Sequence, residues 1–168
     1  MTYYSDKVLS YNPIAYWRLN EASGAVASDS TTNGYDGVYV GATLANATSP
    51  DIDSAPTFDG INDYVNGYSA GLSGAFDGDE GTAIIWINVL DASVWAGGAQ
   101  RGGIYLNASA GSDHIEITKS SFANTMFVRR VAGGSTQFIN IPGITDVGWI
   151  CMGITWSLSN DRVRATGS

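Results

Sequence analysis

Apolar residues in this chain come in short runs broken by glycine and small polar residues, and no long stretch keeps helical spacing. That feature narrows the available folds sharply. A helix needs apolar positions three and four apart over several turns, whereas a strand needs only a few alternating residues before a turn. The 21 glycines far outnumber the 4 prolines and fall between the runs, where they supply the positive φ of tight turns. About eleven short strands with turn signals every ~8–12 residues follow, which argues for a sandwich or barrel.

Along the chain, residues 5–10 read as one short helical turn that Ser5 can cap and that Pro13 forbids from extending. Residues 14–19 (Ile-Ala-Tyr-Trp-Arg-Leu) read as the first strand, and 36–40 as the second, after the turn signal Asn33-Gly34. Residues 41–54 read as loop, 55–58 and 64–68 as strands, and 69–81 as loop again. Residues 82–90 are apolar in both alternate sets, as expected of a central strand covered on both faces. Strands then follow at 102–107, 114–119, 125–131, 137–141, 149–157 and from 162. His114, Glu116 and Thr118 alternate with Ile115 and Ile117, giving one wet and one dry face. No repeat, Pro-rich linker or low-complexity block interrupts residues 1–168, so a single domain is the simplest expectation.

Composition then limits function. Hydrophobic residues make up 44% and charged residues 14%, enough for a packed core. The net charge of -8 makes nucleic acid and anionic membrane surfaces poor partners. One cysteine, Cys151, allows no internal disulfide and reads as a small buried hydrophobe. No apolar stretch approaches the ~20 residues that span a bilayer. The start of the chain lacks the basic and apolar regions of a secretory signal, so cytoplasmic synthesis is expected, or excision from a longer precursor.

Ordered blocks carry a resemblance. Ala15-Tyr16-Trp17-Arg18-Leu19-Asn20-Glu21-Ala22-Ser23-Gly24, then Asp29-Ser30-Thr31-Thr32-Asn33-Gly34-Tyr35-Asp36-Gly37 and Phe58-Asp59-Gly60-Ile61-Asn62-Asp63-Tyr64-Val65, resemble laminin-G-like domains of the concanavalin A-like superfamily. Thr82-Ala83-Ile84-Ile85-Trp86-Ile87 and the run from Gly148 to Trp156 continue it. The resemblance implies an all-β, two-sheet antiparallel sandwich (a jelly roll) carrying one short N-terminal helical turn. The opening Tyr4-Ser5-Asp6-Lys7-Val8-Leu9 with Asn12-Pro13 is similar to such domains in tailed-bacteriophage structural proteins. A virion protein made in the host cytoplasm is therefore implied, decorating a head or forming part of a tail or fibre. Family members usually continue past the segment matching residues 161–165. A sandwich short of its last strands would expose a sheet edge, for a second copy or another virion protein to cover as a homo-oligomer or mixed assembly. The alternative is a carbohydrate-binding, lectin-like module from a larger secreted or cell-surface protein.

Catalysis is not expected. Glucanases of this superfamily place two carboxylates on one strand face, and Glu21, Glu80 and Glu116, the three glutamates, do not form that pattern. No cofactor is called for, although calcium stays open: Glu21, Asp29, Asp59 and Asp63 match acidic loop positions that hold structural calcium in the superfamily. The competing reading is that these aspartates cap turns. Trp17, Trp86, Trp149 and Trp156 are expected in the core. Trp95 lies between strands, where it either stacks on a sugar or covers a core edge. Tyr35, Tyr68 and Tyr105 are candidates of the same kind.

Overall fold

The computed structural model describes residues 4–49, 53–107, 113–157 and 162–167. The chain divides into two compact units, Met1–Phe76 and Asp77–Ser168. Among the described residues every sheet pairing is antiparallel, so the all-β class stands.

The first unit carries helix α1 (Tyr4–Leu9), strands β1 (Val26–Ala27), β2 (Gly37–Val40), β3 (Thr43–Thr48), β4 (Ser54–Thr57) and β5 (Tyr64–Asn66), and helix α2 (Ala70–Ala75). β1, β2 and β5 form one sheet, and β3 pairs with β4 in another. Three expectations fail in this unit. Residues 14–19 are not a strand: Leu19 takes φ 57°, and only Trp17 bridges, to Asp29. The aromatic residues there are held by polar tethers instead, the Trp17 indole N–H donating to the Tyr35 carbonyl at 2.8 Å. The expected loop at 41–54 holds β3, in a ladder whose register shifts between Thr43 and Ala47; residues 50–52 lie outside the described set. The expected loop at 69–81 opens with α2, whose N-cap Ser69 accepts the Leu72 N–H, as the capping rule allows even for a helix of small residues.

The second unit carries β6 (Glu80–Val89), helix α3 (Ser93–Ala96), β7 (Arg101–Asn107), β8 (His114–Lys119), β9 (Thr125–Ala132), β10 (Ser135–Pro142), β11 (Gly148–Ser157) and β12 (Arg162–Gly167). Two sheets form, in the orders β10-β9-β8-β7 and β12-β11-β6. They face each other with β11 over β8, β6 over β7 and β12 over β9 and β10, a sandwich-like layering. Between them lie Ile115, Ile117, Met126 and Val128 from one sheet and Ile150, Met152, Ile154 and Trp156 from the other, all buried. Burying such side chains stabilises a fold by about 2 kcal/mol each.

Of the tryptophans expected in the core, Trp156 is buried and Trp86 is not. Trp95, between strands, is only 1% exposed, whereas Trp86 in β6 is 38% exposed. β6 is not a central strand: among the described residues it ends its sheet, and the face bearing Ile84 and Trp86 is open. Trp156 lies directly over Gly81, where an added Cβ would come within 2.3 Å of the indole. Gly81→Ala is expected to cost about 2 kcal/mol through this overpacking, read as a lower urea midpoint at unchanged slope.

Candidate functional site

The hairpin of β9 and β10 turns on Gly133 (φ 57°) and Gly134 (φ 80°). Two consecutive positive φ values are what a two-residue hairpin turn of matching twist demands. That turn sets Ala132 opposite Ser135, and hence Arg129 opposite Phe138. Glu116 in turn lies opposite Arg129, and Tyr105 opposite Glu116. Directly opposed residues share a face. Tyr105, Glu116, Arg129 and Phe138 therefore make one rung across all four strands, spanning roughly 14 Å at three strand spacings.

The two ends of the rung are open. Tyr105 is 59% exposed and Phe138 58%. Each is braced by a neighbouring ring: Tyr105 stacks on His114 at 5.3 Å between centroids, and Phe138 on Phe127 at 5.7 Å. In the middle, Arg129 Nε lies 2.8 Å from Glu116 Oε1, and its guanidinium sits 5.5 Å from the Phe127 ring centre. Strand pairing, ring stacking and the ion pair fix these side chains before any ligand arrives. The alternation of a wet and a dry face expected in β8 is not borne out: Glu116 and Thr118 are buried, as are Ile115 and Ile117 on the opposite face, because strands pair with β8 on both sides and Arg129 lies over Glu116.

The other candidate residues fare differently. Trp95 offers no ring face to a sugar: α3 places it in the core, and its indole N–H donates to the Asp146 carbonyl at 2.6 Å. Of the two readings open for it, core packing is the one the structure bears out. Tyr35 is half-buried against Gly71 in the first unit. Tyr68, 66% exposed, is also in that unit. Only Tyr105 belongs to the rung. Phe138 is not among the sequence candidates; the alternation in β10, where Phe138 and Asn140 share the outer face, is the signal that points to it.

Glu21, Asp29, Asp59 and Asp63 are not drawn into one cluster. Among the described residues no three His, Cys, Asp or Glu side chains come together. Their lone pairs serve the backbone instead. Asp29 accepts from the N–H of Tyr16 (2.9 Å), Thr31 (3.0 Å) and Tyr35 (3.0 Å) and from the Thr31 hydroxyl (2.7 Å). Glu21 accepts from the Ser28 N–H at 2.8 Å and the Tyr39 hydroxyl at 2.6 Å. Asp59 accepts from the Ile61 and Asn62 N–H groups, and Asp63 from the Asp59 N–H. Burial pushes the carboxyls of Glu21 and Asp29 upward, but these hydrogen bonds outweigh it and hold both below their ordinary values. Burial, reinforced by the Glu21 carboxylate, raises the Tyr39 hydroxyl well above its usual range.

No family model, curated protein or solved structure matches the chain. The rung is therefore read from its own chemistry.

Proposed function

We propose that this chain is a non-enzymatic surface module of a bacteriophage virion, built on a concanavalin A-like jelly roll, which adheres to host-surface glycans. The observation that carries this reading is the rung of Tyr105, Glu116, Arg129 and Phe138, with aromatic rings exposed at both ends of a fixed polar pair. Sugars present apolar C–H faces to aromatic rings and hydroxyls to charged groups, and an elongated oligosaccharide lying along this line meets the two exposed rings and, between them, the part-exposed Arg129. Rigid strands keep the ordering cost of binding low. The rung holds one carboxylate, already ion-paired, whereas glycoside cleavage needs two carboxyls flanking the bond; this supports binding without turnover. The net charge of -8 argues against nucleic acid and anionic membranes. The phage-like opening of the chain supports the virion setting, where it would meet other virion proteins through its sheet edges.

A glycan array probed with and without calcium tests the reading. Binding to one class of oligosaccharide, equal under both conditions, is the expected result. Tyr105→Ala and Phe138→Ala are each expected to weaken it about tenfold, or about 1.4 kcal/mol. An array on which no sugar binds removes the proposal.

A further inference from the structure

The spacing of the rung bears on the length and shape of the sugar chain it takes, an inference that rests on the glycan-binding reading. Its two open rings stand on β7 and β10, with β8 and β9 between them. An extended chain of equatorially linked pyranoses advances by about 5 Å per residue, close to the spacing of strands in a sheet. One sugar per strand therefore places the first over Tyr105 and the fourth over Phe138. The second and third lie over the ion pair, where Arg129 is part-exposed and Glu116 is buried. A chain that coils instead of extending cannot follow a rung set by strand register.

We propose that the rung binds a neutral, extended glycan through four consecutive pyranoses whose ring substituents are all equatorial. Successive residues of such a chain are flipped, so the first and the fourth turn opposite faces to the protein. Both faces must be apolar to stack on an aromatic ring, and only a pyranose without axial hydroxyls offers C–H groups alone on each. Charge excludes an acidic sugar. The Glu116 carboxylate, 2.8 Å away, neutralises the single cation of the rung, and the net charge of -8 repels further anions. The terminal nitrogens of Arg129 carry further N–H donors for the hydroxyls of the two middle sugars. Glu116 and the Phe127 ring already orient that guanidinium, so a hydroxyl bound there adds little ordering cost.

Titration calorimetry of the full chain with β-1,4-linked oligomers of glucose and of N-acetylglucosamine, two to six residues long, tests this. Affinity is expected to rise about tenfold or more from two residues to four, and by less than about twofold from four to six. Tyr105→Ala is expected to flatten that rise to within about twofold, while Tyr105→Phe, which keeps the ring, retains it. A mannose tetramer of the same linkage turns an axial hydroxyl to one of the two rings, and it is expected to bind at least about fivefold more weakly than the glucose tetramer. A glucuronate tetramer is expected to fall short as well, with the gap narrowing as salt rises from about 0.05 to about 0.5 M. Two residues binding as tightly as four, mannose and glucose tetramers binding alike, or binding confined to acidic glycans each overturns the inference and leaves glycan binding standing. No binding by any sugar on the array removes both.

Discussion

Trp95→Ala is expected to lower the unfolding free energy by about 4 kcal/mol, the cost of removing a buried tryptophan and leaving its space unfilled. The surroundings cannot close over the gap easily. A small cavity already lies beside the indole, lined by Ile87, Val89, Val94, Met126 and Met152, so the deletion enlarges an existing void. The backbone there is tied in place: the Trp95 carbonyl accepts the Asn124 N–H at 2.8 Å, and Asn124 in turn accepts from Ile144 at 3.0 Å. The buried Lys119 ammonium donates to the carbonyls of Gly97 and Ala99 just beyond α3. Trp95→Phe keeps most of the volume and loses the bond to Asp146, so a cost nearer 1 kcal/mol is expected. Urea unfolding followed by circular dichroism measures both. Equal stability of Trp95→Ala and the parent chain would mean that Trp95 is not in the core.

Asp29→Ala is expected to cost about 2 kcal/mol at pH 7, because it strands the N–H groups that Asp29 gathers from Tyr16, Thr31 and Tyr35. Asp29→Asn keeps one acceptor oxygen, and roughly half that loss is expected. The pH dependence follows from the direction of the shift. Asp29 and Glu21 lie below their ordinary values in the folded chain. Between the lowered and the ordinary values the unfolded chain binds more protons, so stability falls as pH falls. The contribution is complete above about pH 5 and drains away through the ordinary carboxylate range and below it. Asp29→Ala should therefore flatten the acid limb of a stability–pH profile measured by thermal melting; a profile parallel to the parent's would contradict the role given to this carboxylate.

The strands of the second unit were legible because each is an apolar run or a clean alternation ended by a turn. Ala132-Gly133-Gly134-Ser135 reads as a hairpin loop, and the structure narrows it to a two-residue turn on Gly133 and Gly134 that leaves one way to pair β9 with β10. Other features depend on neighbours that a linear pattern does not contain. Residues 82–90 are apolar in both alternate sets, which suits a doubly covered strand, yet the same pattern describes an edge strand with one face open. Trp95 looked exposable because its segment has no periodicity, but a single helical turn is enough to aim one indole inward. In the first unit, Tyr16-Trp17 has the composition of a strand, and tethers from Asp29 and Tyr35 override that propensity. α2 is built of small residues and has no apolar stripe to reveal it. Asp29, Asp59 and Asp63 organise turns, following the ordinary chemistry of Asp beside small polar residues.

The glycan-binding reading rests on the outer face of β7 to β10. Amide chemical shifts of the full chain, recorded while titrating the oligosaccharide that binds best on the array, test that face most directly. The expected perturbations centre on Tyr105, Glu116, Arg129 and Phe138 and fade along the strands to either side. Saturable binding that shifts residues elsewhere and leaves these four unmoved would contradict it.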